Sequence, residues 1–275
     1  MTDRDDVLGY QGKKAVVIGA ASGMGEATAR VLVDLGAEVT AIDVKPTAVP
    51  GSASLEVDLR NESSIDDAVL RLDGPVDAVF ACAGLPGPPF SDLDVMLVNF
   101  VGTRHLLQSL APKMAGGSAM AWVASAAGLG WQNQLGPLME LADTEGFAAG
   151  QAWVETHSAL VGTGSYQFSK QAINAFVAAH AGWFYERGIR LNCSNPGPTA
   201  TPMMPYFEES AGRALIDAAL GPVGRYSTPE EQAWPLVFLN SPRSSYIAGE
   251  SLFVDGGFFG ALQTGKLDFS QLLGD

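Results

Sequence analysis

Over residues 13–124, short apolar runs alternate with stretches that are apolar on one side only. Residues 13–18 read as a buried strand. Residues 23–35 set Ala27, Val31 and Leu35 on one helical face, and Gly36 supplies a stop. Residues 38–42 and 54–57 are the second and third strands. Residues 61–72 form a helix, with Asn61 as N-cap and Ser64 close behind. A fourth strand at 76–81, a helix at 94–114 and a fifth strand at 119–124 follow. This alternation predicts an α/β chain with a parallel, doubly wound sheet.

Between residues 130 and 164 the rhythm stops. The stretch is rich in Gly, Gln and acidic residues, with weak helical patterns at 138–143 and 146–157, and reads as an insertion. A helix at 165–187, a strand at 190–194, helices at 206–220 and 229–240, and a last strand at 251–254 complete the pattern. No repeat, low-complexity tract or linker interrupts it. Residues 1–275 are therefore expected to form one domain, with a helical insertion at 131–164 and a loop region at 199–225.

Composition narrows the function. Hydrophobic residues make up 47% of the chain, enough for a sizeable core. Lys and Arg number 16 against 30 Asp and Glu, a net charge of −14. A field of that sign repels phosphate backbones and anionic lipid, which argues against nucleic-acid and membrane-surface partners. Cys82 and Cys193 lie in apolar runs and read as buried reduced thiols, not a disulfide framework. His105, His157 and His180 stand far apart without partners at ligand spacing, so no metal site is expected. Residues 1–10 are acidic and lack the apolar core of a signal peptide, and no apolar run is long enough to span a bilayer. The expected location is cytoplasmic.

The first chemical motif lies between the first strand and the first helix, Gly19-Ala20-Ala21-Ser22-Gly23-Met24-Gly25. A helix N-terminus there presents unpaired amides to a dinucleotide pyrophosphate. Glycines permit the tight turn and the close approach of backbone to ligand. Asp43 ends the second strand. A carboxylate at that point accepts from the adenosine ribose hydroxyls and repels a 2′-phosphate, which favours NAD over NADP, although Lys45 is close by. Asp58 and Leu59, after the third strand, are placed to meet the adenine.

Tyr166 and Lys170 are four apart on a predicted helix and share a face. Tyrosine titrates near 10 in water, and a neighbouring cation favours its phenolate, so the pair suits proton transfer to and from a carbonyl oxygen. Lys170 can also bond a nicotinamide ribose. Ser125, at the carboxyl edge of the fifth strand, can donate to the same substrate oxygen. Asn99 sits inside an apolar helical run, where an amide is costly without a reason. It reads as a kink-site residue holding a water near Lys170, or as a satisfied core amide.

Together these residues resemble the short-chain dehydrogenase/reductase family over nearly the whole chain. The matching pieces are Gly19-x3-Gly23-x-Gly25, Ala83-Gly84, Asn99, Ser125-Ala126-Ala127-Gly128, Tyr166-x3-Lys170, Asn195-Pro196-Gly197-Pro198-Thr199 and Asp255-Gly256-Gly257. The resemblance implies a Rossmann-like fold, an Asn99–Ser125–Tyr166–Lys170 tetrad and a homodimer or homotetramer. It also implies cofactor contacts at Ala83, Gly84, Pro196, Gly197, Thr199 and Thr201. Ile18 stands where the family usually has Thr, and Cys82 where it usually has Asn; neither residue is chemical. Ser125 and Tyr166 are much further apart than in most members, and the link from Gly84 to Asn99 is short. Those spacings are similar to a subgroup of bacterial 3α-hydroxysteroid dehydrogenase/carbonyl reductases and coniferyl-alcohol dehydrogenases. In that subgroup the insertion is helical and tends to serve the dimer contact.

The loop after Gly197 offers Met203, Met204, Pro205, Tyr206 and Phe207, and Leu85, Pro86, Leu129 and Trp131 could form an opposite wall. Thioether and aromatic groups make an adaptable apolar surface. Without an obvious Lys or Arg in these walls, the expected substrate is an apolar alcohol or ketone, steroid-like or aryl and cinnamyl in type. Two other readings are a non-catalytic NAD(H)-responsive binding protein and a sugar-nucleotide epimerase or dehydratase. The intact tetrad argues against the first, and the short chain after Thr199 against the second.

Overall fold

A computed structural model describes residues 6–267. The first half of the acidic N-terminal stretch and the end of the C-terminal tail lie outside the described residues. Seven parallel strands form one sheet in the order β3-β2-β1-β4-β5-β6-β7. They are β1 (Lys14–Ile18), β2 (Glu38–Asp43), β3 (Ala53–Glu56), β4 (Val76–Ala81), β5 (Met114–Val123), β6 (Arg190–Pro196) and β7 (Ser251–Val254). Chain order reverses between β1 and β4, which opens a crevice at their carboxyl ends.

Helices cover both faces because the strands are apolar on both. α1 (Gly23–Asp34) starts at the glycine-rich turn and ends at Gly36, whose φ of +80° suits glycine. α2 (Glu62–Arg71) is capped as expected: Asn61 Oδ1 accepts from the amides of Ser63 and Ser64. On the same face as α2 lie α3 (Asp92–Met96) and α4 (Gly102–Leu110), joined by a π-helical turn at Leu97–Val101. Helical periodicity predicted one helix from 94 to 114. The extra residue per turn that interrupts it holds Asn99 at its centre.

The expected fifth strand at 119–124 begins earlier, at Met114. Met114 pairs with Val76, and the register then shifts before Ala119 pairs with Ala78. The Gly116-Gly117 bulge carries no apolar signal, which hides the strand's beginning in the sequence.

The insertion contains α5 (Leu135–Ala142), α6 (Gly146–Thr156) and α7 (Ser158–Val161). Leu138, Leu141, Phe147, Val154 and Val161 bury themselves in the core of their own chain. Arg104 of α4 is fully buried. Its guanidinium donates to the carbonyls of Leu141, Ala142 and Gly146 and to Thr144 Oγ1, pinning the α5–α6 turn. α8 (Ser165–Tyr185) then crosses the sheet. The helix expected at 206–220 is two, α9 (Met204–Ala211) and α10 (Arg213–Ala218), broken at Gly212 with φ +83°. α11 (Pro229–Asn240) packs with α1 on the other face, and α12 (Phe258–Gln263) follows β7. No helix among the described residues is long and apolar enough to cross a membrane.

Candidate active site

The crevice at the β1–β4 reversal is a cavity of about 300 Å³. Gly19, Ser22, Gly23, Met24, Asp43, Asp58, Leu59, Ala83, Gly84, Leu85, Thr201 and Met203 all line it. Ser22 is the N-cap of α1 but makes no side-chain cap bond, so its hydroxyl and the first amides of the helix are left for a ligand. A Cβ at Gly19 would fall 2.5 Å from the backbone of Ala83, and one at Gly25 would strike the Gly19 carbonyl. The turn closes only with glycine there. This amide-rich cradle fits a dinucleotide pyrophosphate.

Asp43 is bound to the cradle it serves. Its Oδ2 accepts from the Ala21 amide at 2.9 Å and its Oδ1 from the Lys45 amide at 3.0 Å. Each carboxylate oxygen keeps a further lone pair for a ribose hydroxyl. Asp58 is held by Arg60, which donates to both of its oxygens at 2.8–2.9 Å. That pairing holds the Asp58 carboxyl below the usual range. Arg60 also lines the cavity, as does Phe90. Neither stood out in the sequence, since Arg60 follows the motif without periodicity and Phe90 lies in a proline-rich loop.

Asn99 is buried in the π-helical turn. Its side-chain amide pairs with Leu85 as a strand would: Oδ1 accepts from Leu85 N at 2.7 Å and Nδ2 donates to Leu85 O at 3.0 Å. Nδ2 also donates to Ser169 Oγ at 3.0 Å, and Ser169 donates to the Tyr166 carbonyl. Thr103 Oγ1 donates to the Val98 carbonyl within the same irregular stretch. π-turns of this kind concentrate at functional sites.

Ser125 follows β5, and Tyr166 and Lys170 stand one turn apart at the start of α8. Lys170 Nζ donates to the Val123 carbonyl at 2.9 Å and lies 5.6 Å from the centroid of the Tyr166 ring. Burial pushes Lys170 down to about 8. Tyr166 goes the other way: burial pushes it up to about 12, and the nearby Ser125 hydroxyl opposes the rise. The sequence suggested that Lys170 lowers the tyrosine. Desolvation is instead the largest influence on the phenol, and Lys170 is bonded to the Val123 carbonyl. Gly84 lies close against the pair. A Cβ there would stand 3.5 Å from Asn99 Oδ1 and 3.7 Å from Lys170 Nζ.

Phe207 of α9 lies over the phenol, ring centroids 4.8 Å apart. Several other expected contacts fall elsewhere. Met204 is buried at the start of α9, and Trp131 packs against the core; neither lines the cavity, and nor do Asn99, Ser125, Tyr166, Lys170 or Phe207, which stand beyond its edge. Pro196 is buried in β6, and Gly197 borders a different cavity. Thr199 is turned inward: its hydroxyl donates to the Gly197 carbonyl and meets Ser227 Oγ at 2.9 Å. Burying that hydroxyl requires an internal partner, and Ser227 supplies it. No group of three or more His, Cys, Asp or Glu among the described residues could hold a metal ion.

A family model described as short chain dehydrogenase matches residues 13–135, and one described as Enoyl-(Acyl carrier protein) reductase matches residues 136–259. A coniferyl-alcohol dehydrogenase of Pseudomonas sp. is 32% identical over 246 residues, covering 89% of this chain and 96% of its own. The chain belongs to the short-chain dehydrogenase/reductase family. Within it, the 3-alpha-hydroxysteroid dehydrogenase/carbonyl reductase of Comamonas testosteroni is 31% identical over 251 residues, covering 88% of this chain and 95% of its own. The crystal structure of the 3-alpha-hydroxysteroid dehydrogenase from Pseudomonas sp. B-0831 complexed with NADH superimposes with a TM-score of 0.78 at 28% identity. It covers 92% of this chain and 99% of that one. As a member of this family the chain is an oxidoreductase that uses a nicotinamide cofactor.

Proposed function

We propose that this short-chain dehydrogenase/reductase interconverts an apolar secondary or aryl-type alcohol and its carbonyl compound with NAD. The observation that carries the reading is the placing of Lys170 Nζ 5.6 Å from the centroid of the Tyr166 ring, one turn away on α8 and close against Gly84 of the cavity wall. Gly19, Ser22, Gly23, Met24 and Gly25 would hold the pyrophosphate, Asp43 the adenosine ribose, and Asp58 and Leu59 the adenine. Ala83, Gly84 and Thr201 would border the nicotinamide half, with Pro196, Gly197 and Thr199 shaping the turn behind it. The preference for NAD rests on the Asp43 carboxylate and is consistent with the NADH held by the structural relative.

The nicotinamide supplies the hydride acceptor in oxidation and the hydride donor in reduction. The protein's own residues handle the proton. In reduction, the protonated Tyr166 Oη gives its proton to the substrate oxygen while Ser125 Oγ donates a hydrogen bond to the same atom. In oxidation the phenolate takes that proton back. Lys170 opposes the burial that disfavours the phenolate and binds the ribose. Asn99 keeps the β4 loop and the first turn of α8 in place and holds a relay water.

Leu85, Phe90, Val98 and Met203 line the cavity and Phe207 lies over Tyr166, apolar surfaces suited to hydroxysteroid-like or aryl and cinnamyl alcohols. A homodimer or homotetramer belongs to the same proposal. The test is NADH formation from NAD across hydroxysteroids, cinnamyl-type alcohols and aryl carbinols, with NADP in parallel. Turnover of one class with NAD preferred is expected. No turnover with any alcohol, despite tight NADH binding, would instead favour a non-catalytic NAD(H)-responsive protein.

A further inference from the structure

Two asparagines face each other in the core behind the proposed catalytic groups. Asn174 lies on α8 one turn beyond Lys170 and is 2% exposed; Asn195 precedes Pro196 in β6 and is fully buried. Their amides are bonded reciprocally, Asn174 Nδ2 to Asn195 Oδ1 and Asn195 Nδ2 to Asn174 Oδ1, both at 3.0 Å. Asn174 Nδ2 also donates to the Lys170 carbonyl at 2.9 Å. Its Oδ1 receives Cys193 Sγ, which in turn lies 3.2 Å from Ser251 Oγ on β7.

The turn after Ser125 rests on this pair. A Cβ at Gly128 would fall 2.5 Å from Asn174 Nδ2 and 2.9 Å from the Lys170 carbonyl oxygen. Three segments therefore meet at one amide pair: the Ser125 turn, the part of α8 bearing Tyr166 and Lys170, and the end of β6. Apolar side chains could fill this space without polar atoms to satisfy. Reciprocal amides do what apolar packing cannot, because any slide of α8 along β6 breaks both bonds at once and leaves buried groups unpaired.

We propose that Asn174 and Asn195 are a positioning pair. They set the Pro196-Gly197 turn against Tyr166 and Lys170, and so fix the nicotinamide half of the cofactor rather than its adenine half. This rests on the NAD-dependent reading above.

The test compares two ligands, NADH and ADP-ribose, which lacks the nicotinamide. Their dissociation constants are measured for the wild type, Asn174→Ala, Asn195→Ala and the double variant, together with kcat, KM and thermal unfolding. Each single variant is expected to weaken NADH about tenfold and lower kcat about tenfold or more, leaving ADP-ribose within about twofold. The double variant should be no worse than either single one, because the two amides act as a unit. Equal weakening of both ligands, or a lower melting temperature with NADH binding and kcat unchanged, would overturn the inference. If Asn174→Ala does not fold, Asn195→Ser, which keeps a hydroxyl beside Asn174, supports the same comparison. Absence of turnover in the wild type would count against the proposed reaction, whereas the ratio of the two ligand affinities would still decide for or against the positioning pair.

Discussion

The ring of Phe207 lies 4.8 Å from the ring of Tyr166, tilted by 56°. An aromatic side chain thus covers the group proposed to move the proton, and a substrate reaching that phenol must pack against it. Phe207→Ala should raise KM for an aryl alcohol about tenfold, the loss expected when an aromatic contact is removed. Dissociation of NADH should change little. An unchanged KM would mean that Phe207 covers Tyr166 without touching substrate.

The Asp43 carboxylate accepts from the Ala21 amide, and in the proposed reading it also presents negative charge where a 2′-phosphate would lie. Asp43→Asn removes the charge while the amide oxygen can still accept from Ala21. The ratio of kcat/KM for NAD to that for NADP should fall about tenfold or more, as expected for loss of a charged hydrogen-bond acceptor. A ratio that stays fixed would place cofactor choice elsewhere.

Lys170 is a buried cation with no carboxylate bonded to it among the described residues, and its folded pKa of about 8 lies below the value of 10.5 for a free lysine. Between these values the unfolded chain binds the proton more tightly, so wild-type stability should rise with pH from about 8 toward 10. Lys170→Met should be the more stable protein at pH 7, by on the order of 3 kcal/mol at most. The advantage should shrink as pH rises. Denaturant titrations of both proteins at several pH values give the comparison; parallel curves would contradict the assignment.

Gly128 supports the turn after Ser125 where no side chain fits. Gly128→Ala should destabilise the fold by about 1–3 kcal/mol through overpacking. Gly116→Ala, where nothing lies within 4 Å of the added methyl, serves as the control. Equal melting temperatures for the two variants would refute the close approach.

The chemistry most readable in the sequence was local. The glycine turn, the Asn61 cap and the Tyr166–Lys170 spacing each declare themselves within a few residues, and the strand–helix alternation carries the fold. Asn99 was legible through its cost, since an amide in an apolar helix needs a partner, and the structure supplies Leu85 and Ser169. Features that depend on distant pairing were not legible. The inward turn of the Thr199 hydroxyl was hidden because its partner, Ser227, lies in a later loop. The Asn174–Asn195 pair joins a helix to a strand across the fold. The inward packing of Met204 and Trp131 was hidden because apolar residues near a site and apolar residues in a core are alike in sequence. The high pKa of Tyr166 follows from burial, which the Tyr-x3-Lys spacing does not express.

The proton-transfer role of Tyr166 is the centre of the account, and one comparison tests it most directly. Turnover and NADH binding are measured for the wild type and for Tyr166→Phe, with whichever alcohol the wild type oxidises. The account predicts a loss in kcat of about 100-fold or more with the NADH dissociation constant within about twofold, since only the hydroxyl is removed. A Tyr166→Phe protein that turns over at the wild-type rate would contradict it.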